Sequence, residues 1–192
     1  EKPAQFEIID TNGQNYKANA GMKIFGGWSR GNAQKSFSLF ARKKYGDSKF
    51  EYQIFPNSDV DDYESFILRN SGNDWEQTMM RDGYINSIIQ LTGVDYQQYR
   101  PSIGFINGEY WGIYNMREKI SEHFISSHHD VPTDNINLLA YNGGYEDNIE
   151  LIHGSKNDFL ELIQYISTND MTKSDVFKVV SDWIDIEEYI KY

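Results

Sequence analysis

Lys23-Ile24-Phe25-Gly26-Gly27-Trp28-Ser29-Arg30-Gly31-Asn32-Ala33-Gln34-Lys35-Ser36-Phe37-Ser38-Leu39-Phe40 sets the frame for the rest of the chain. Ile24 and Phe25 form a short apolar run, and Gly26, Gly27 and Gly31 punctuate the residues after it. Phe37, Leu39 and Ala41 then alternate with Ser36, Ser38 and Phe40 at the two-residue period of a half-buried strand. The spacing predicts a strand, a glycine-rich turn and a second strand with Lys35 at its start. Glycines in such a turn let backbone N–H groups approach an anion with no Cβ in the way, and Ser29, Arg30 and Lys35 add polar and cationic groups. The same turn without a ligand is simply a connection, and neither G-x-x-x-x-G-K-[ST] nor G-x-G-x-x-G occurs in it.

Charge favours the anion reading. The 192-residue chain carries a formal net charge of -11, yet between Lys23 and Lys44 it has Lys23, Arg30, Lys35, Arg42, Lys43 and Lys44 and no Asp or Glu. Arg42 to Lys44 read equally as a solvated strand end. The acidic balance argues against a general nucleic-acid binder, which needs a basic face against phosphates. No apolar run is long enough to span a bilayer. The absence of cysteine excludes disulfides and thiolate chemistry. The length suits one domain, or one and a fraction. The chain begins without a methionine or signal peptide and ends inside a helical pattern, so it is expected to be cut from something longer.

Either side of the central segment, Phe6 to Tyr16 predicts a β-hairpin closed by a tight Asn12-Gly13 turn, on the same sheet. Gly46 to Glu64 is polar and turn-rich and reads as a surface loop; its Asp59, Asp61, Asp62 and Glu64 lack calcium-loop spacing. Ser65 to Arg69 predicts a buried strand. Asn73 or Asp74 then caps a helix beginning near Trp75, with Trp75, Met79, Ile85, Ile88, Ile89 and Leu91 on one apolar face and Gly93 as its stop. Asn107-Gly108 between Ser102–Ile106 and Tyr110–Tyr114 is the strongest hairpin signal in the chain. Ser121 predicts a cap on a short helix ending near His128-His129-Asp130, Asn135 to Ala140 reads as extended, and Ser155-Lys156-Asn157-Asp158 resembles a capping box opening a helix. Two further helical patterns follow, through Val176 and Val180 and from Asp185 to the end. The layout is α+β: an antiparallel β-sheet lobe with one long helix over 1–120, then a mostly helical segment over 121–192.

Three blocks in order carry a family resemblance. They are Ala20-Gly21-Met22-Lys23-Ile24 with Gly26 to Arg30, Gln34-Lys35-Ser36-Phe37 and Ala41 to Gly46; Leu68 to Trp75 with Met80-Arg81-Asp82; and Tyr99-Arg100-Pro101 with Asn107 to Ile120. Together they resemble the CotH family, atypical kinases named for a spore coat protein. The resemblance implies a truncated atypical protein-kinase-like fold: an N-lobe-like part over 1–120 and the start of a helical C-lobe-like part over 121–192. It also implies a secreted protein, extracellular or at the cell surface, that uses ATP with Mg²⁺ or Mn²⁺ to phosphorylate Ser or Thr of a protein acceptor.

Phosphoryl transfer asks the protein mainly to position groups and stabilise charge. By resemblance Lys35 is the phosphate lysine, with Ser29 and Arg30 beside it; the family often has two lysines before the serine, and Gln34 takes the first place here. A helix behind the sheet would supply the carboxylate partner, with Glu76 and Asp82 both open as candidates. Asn115 to Glu118 reads as a hinge bordering the adenine, with Glu118 at its end and Tyr114 or Tyr110 available to stack on the base; packing in the sheet is the other fate open to these aromatics. His128-His129, with only His123 and His153 elsewhere, falls short of a zinc site, and no metal site is expected. The family's catalytic base and metal-binding aspartates come in later segments, so Asn73-Asp74-Trp75 sits too early and the catalytic groups are expected beyond Tyr192. The fragment is then expected to be inactive and to bind ATP and Mg²⁺ weakly. The alternative is a non-catalytic extracellular module binding carbohydrate or a scaffold, which the 15% aromatic share would suit.

Overall fold

A computed structural model of the chain describes residues 1–141 and 149–192. The strands β1 (Lys2–Ile9), β2 (Asn15–Phe25) and β3 (Ser36–Phe40) come first. A small ladder of β4 (Phe50–Glu51) with β5 (Asp62–Tyr63) is next, then β6 (Ser65–Arg69) and helix α1 (Arg81–Ile89). The hairpin β7 (Tyr99–Ile106) and β8 (Glu109–Glu118) closes this part. Helix α2 (Glu122–His129), the pair β9 (Leu138–Tyr141) and β10 (Ile149–His153), and helices α3 (Asn157–Thr168), α4 (Ser174–Trp183) and α5 (Ile186–Lys191) complete it. The six-stranded sheet is antiparallel throughout, in the order β1-β2-β3-β6-β8-β7. It is curled, because Asp10 at the tip of the β1–β2 hairpin pairs with Arg100 on β7, the opposite edge strand.

One face of the sheet is apolar. Phe37, Leu39, Phe66 and Met116 alternate inward as the two-residue period predicts, and Phe6 makes edge-to-face contacts with Phe50 and Phe66 at 5.0 and 5.3 Å. Phe50, Ile54, Phe55 and Tyr63 complete this core, each buried, which corrects the reading of Gly46 to Glu64 as a surface loop. Their spacing is irregular because the segment is mostly coil, so no periodicity announces them while the polar residues between stay wet. Each fully buried side chain of this kind contributes about 1.5–3 kcal/mol.

The opposite face, which α1 covers, is polar. Ser36 and Ser38 of β3 and Asn115 and Arg117 of β8 lie on it, all buried. Helix α1 starts at Arg81, not near Trp75, and its apolar residues Tyr84, Ile85, Ile88 and the following Leu91 are exposed. Gly83 is what packs: a Cβ there would lie 2.7 Å from the Tyr99 ring. Asp74 delays the helix by accepting from Thr78 Oγ1 at 2.5 Å and from the Arg81 N–H at 3.0 Å, which satisfies a first-turn donor from seven residues upstream. These bonds hold its carboxyl down to a pKa of about 2.

Turn chemistry was mixed. Asn107 and Gly108 take φ of +53° and +82° between the paired Ile106 and Glu109, a two-residue primed turn as expected. The Asn12-Gly13 turn is instead part of a five-residue connection between Ile9 and Asn15: only Gly13 has positive φ, while Asn12 Oδ1 accepts from the Gln14 N–H. Ser121 caps α2 through the Phe124 N–H. Ser155 makes no capping box; its hydroxyl accepts from the Asn157 N–H, and the Asp158 carboxylate accepts from Asn137. The second part also contains the β9–β10 pair, so it is less purely helical than expected.

Candidate phosphate-binding site

The glycine-rich segment joins β2 to β3 as predicted, with Phe25 paired to Ser36 and Lys35 immediately before β3. Gly26 has φ of +102°, and a Cβ there would come 2.2 Å from Ser29 Oγ, so this turn requires glycine at that point. A 3₁₀ turn over Trp28–Gly31 comes next, with the Arg30 N–H on the Gly27 carbonyl and the Asn32 N–H on the Ser29 carbonyl. Lys35 reaches back into it and donates to the carbonyls of Arg30 at 2.7 Å and Asn32 at 2.5 Å. An ammonium has three donors, so these two bonds organise the turn and leave one for a ligand. No carboxylate among the described residues pairs with Lys35.

A hydrogen-bond network, buried at Ser36 and Asn70 and half-buried at Gln34, ties this turn to the two other blocks. Gln34 donates to the Ile113 carbonyl at 2.8 Å, accepts from Trp75 Nε1 at 2.9 Å, and its own carbonyl accepts from Asn70 Nδ2 at 2.5 Å. Its amide lies over Gly112, which has φ of +115° where β7 and β8 slip register. Ser36 Oγ donates to Asn70 Oδ1 at 2.8 Å and accepts the Asn70 N–H at 2.9 Å. Asn70 Oδ1 also takes the Gly72 N–H at 3.0 Å, and Asn115 donates to Ser71 Oγ and the Met79 carbonyl. The three blocks, far apart in sequence, therefore meet at one hydrogen-bonded centre directly behind Lys35. The sequence offers Asn70 only as part of the Asn70 to Asp74 turn, as cap or functional group, and Gln34 only in the place of a lysine, and neither reading shows that the two meet Ser36 here.

The remaining expected residues are dispersed. Asp82 pairs with Arg69 at 2.9 Å and lies 3.7 Å from Arg117, while Glu76 is exposed. Tyr114 is enclosed in the sheet at 1% exposure, its ring filling the space above Gly104, and Tyr110 is exposed against Phe105. Asn115 to Glu118 is not a hinge, because it stays in β8 paired with β6. Glu118 is buried and accepts from the Gln98 N–H at 2.9 Å while its other oxygen sits 2.9 Å from His128 Nε2. That hydrogen bond raises the His128 pKa above its ordinary value against the opposing effect of burial. His129 pairs with Asp95 and His123 with Glu64, so three residues of α2 are spent on carboxylates.

Glu64, Glu118, Lys119, Ser121 and His123 line a cleft of about 310 Å³ at the junction of sheet and α2. Burial lowers the Lys119 pKa, and the like charges of Arg42 and Lys23 add to the effect against Glu122. Among the described residues no three His, Asp or Glu side chains converge to hold a metal ion. No helix among the described residues is long and apolar enough to cross a membrane.

No curated protein matches the chain. The family model described as CotH kinase protein matches residues 22–192, taking in the first block from Met22 onward, the other two blocks whole and the helices beyond them. A match over that span places the glycine-rich turn, the Asn70 centre and the β7–β8 hairpin within one shared domain, and the chain belongs to the CotH kinase family.

Proposed function

We propose that the chain is the nucleotide-binding part of a kinase domain, in which the turn from Gly26 to Lys35 receives the phosphates of ATP for transfer to Ser or Thr of an extracellular protein acceptor. The observation that carries this reading is the convergence behind Lys35. Three separate blocks hold one exposed glycine-rich turn through Gln34, Ser36 and Asn70, and a turn that merely connects two strands needs no such support. Residues 1–120 are read as the sheet lobe and 121–192 as belonging to the helical one.

Lys35 would contribute its third ammonium donor to a phosphate oxygen, and Ser29 and Arg30 its flank. Bound ATP would supply the transferable phosphoryl group. The protein's part is a preorganised turn, since positioning and charge stabilisation carry most of this chemistry. Glu118 acts at a distance from the phosphates, fixing α2 to β8 through His128. Tyr114 leaves the base-stacking set because its ring is enclosed, and Tyr110 is the exposed aromatic of the two.

The test is a ³¹P titration of ATP with the chain. Saturable shifts with a dissociation constant on the order of millimolar are expected, since one lysine donor and its flank hold the phosphates. Lys35→Ala, shown folded by its melting curve, should return the phosphate signals to those of free ATP. Equal binding by the folded variant would remove Lys35 from the site.

A further inference from the structure

Beneath α1, on the polar face of the sheet, four buried polar atoms have no hydrogen-bond partner among the described residues: Arg117 Nε and Nη1, Asp82 Oδ2 and Asn115 Oδ1. Arg117 is 1% exposed, and its only hydrogen-bonded nitrogen there is Nη2, which donates to Gln97 Oε1 at 3.0 Å. Arg69 brings a second guanidinium, with Nη1 2.9 Å from Asp82 Oδ2 but outside hydrogen-bonding angles. Two guanidinium groups thus share the Asp82 carboxylate on this face of the sheet. Glu118, the other acid near Arg117, is engaged by His128 and the Gln98 N–H.

Arg117 Nη1 and Asp82 Oδ2 face each other as an ion pair at 3.7 Å and Arg69 also neutralises that carboxylate, which leaves Arg117 Nε and Asn115 Oδ1 with neither a hydrogen bond nor an ion pair among the described residues. A buried group left unsatisfied costs about 1–3 kcal/mol, so the two together point to a missing partner. The partner must accept from two guanidinium groups and donate to Asn115 Oδ1 or Asp82, which a singly protonated phosphate does with one group of atoms. Access is from the α1 side, where Arg69 and Asp82 are about a third exposed, 34% and 40%. The place also adjoins the glycine-rich turn. Arg69 Nη2 would sit 3.8 Å from a Cβ on Gly72, and the 3₁₀ turn Gly72–Asp74 packs against Trp28–Gly31.

We propose that Arg69 and Arg117, spaced by Asp82, form a second phosphate-binding subsite next to the glycine-rich turn. The identity of the ligand rests on the nucleotide reading above, and its place rests on the arginines alone. Binding draws Asp82 aside and fills the vacant N–H directions of Arg117.

The experiment tracks the Arg117 Nε–H resonance of the ¹⁵N-labelled chain at constant ionic strength, with separate additions of inorganic phosphate, ATP, phosphoserine and sodium chloride. Phosphate should shift this resonance saturably and chloride should not. Arg69→Gln, a partly exposed change that spares the fold, should weaken phosphate about tenfold or more, as loss of a charge-assisted contact does. Stronger response to ATP than to phosphoserine assigns the subsite to the nucleotide, and the reverse order assigns it to a phosphorylated side chain; either supports it. If Lys35→Ala abolishes ATP binding at the turn while inorganic phosphate still moves Arg117, the subsite stands apart from the turn. An Arg117 resonance that ignores phosphate, moves equally with chloride, or responds unchanged in Arg69→Gln overturns the proposal and leaves water as the partner.

Discussion

Asn70 is the residue whose loss should be felt most. It is 1% exposed and sits where β6 ends, holding Ser36, Gln34 and Gly72. Asn70→Ala strips a partner from three groups: the Ser36 hydroxyl, the Gln34 carbonyl and the Gly72 N–H. A buried group left unsatisfied costs about 1–3 kcal/mol, but Gln34 and Gly72 are only half-buried and recover part of that from water. The expected loss is about 2–4 kcal/mol, a large share of a typical 5–15 kcal/mol. At about 2–4 °C per kcal/mol for a chain of this size, the melting temperature should fall by roughly 5–15 °C. Urea denaturation at constant slope gives the free energy directly. Ser36→Ala should cost less, since it removes one hydroxyl, and the double variant should fall short of the sum because both touch the same bond. A loss under about 1 kcal/mol for Asn70→Ala, or strict additivity with Ser36→Ala, would show that the network carries no weight and that the turn stands on local geometry.

Gly108→Val should destabilise the domain by about 1–3 kcal/mol through backbone strain alone, because open space surrounds the position and only its φ of +82° resists a β-branched residue; an unchanged urea midpoint would contradict this. His128 has a folded pKa raised above its ordinary 6.5 by Glu118, so its contribution is fully present below about pH 6.5 and is lost as pH rises through the folded value. The chain should therefore be more stable near pH 6 than near pH 8 by a margin that His128→Gln removes, and an equal margin in the variant would place the pH dependence elsewhere. Gly26→Val should lower ATP affinity in the ³¹P titration and, like Gly108→Val, cost about 1–3 kcal/mol for its φ of +102°, because its Cβ would also displace Ser29; retained affinity in the folded variant would show that the turn tolerates rearrangement.

What was legible in the sequence was whatever obeyed a local rule. Asn107-Gly108 sets its own turn, Ser121 caps its own helix, and Phe37 and Leu39 alternate against a single apolar face. The rest depended on partners far along the chain. A two-residue alternation implies one dry face and one wet one, yet the face bearing Ser36, Ser38, Asn115 and Arg117 is dry and polar because α1 and the Asn70 turn cover it. Asn115 to Glu118 read as a hinge because it follows the Asn107-Gly108 hairpin where a kinase-like chain would cross between lobes, and only its pairing with β6, distant in sequence, shows that it stays in the strand. Helix α1 misled in the opposite sense. Its isoleucines mark an apolar stripe, while the contact with the sheet is made by Gly83, which has no side chain to advertise it. Lys35 was placed correctly in the chain, but its engagement with the carbonyls of Arg30 and Asn32 comes from the shape of the turn and from no residue pattern.

The central claim is that the glycine-rich turn is where phosphate binds, and a map of backbone amide shifts across an ATP titration addresses it residue by residue. The largest saturable shifts should fall between Gly26 and Lys35, spread with smaller amplitude to Asn70 and Gly72 through the network, and vanish from the turn in folded Lys35→Ala. Shifts that leave Gly26 to Lys35 unmoved while ATP saturates another surface, or a turn response that persists without the lysine, would contradict it.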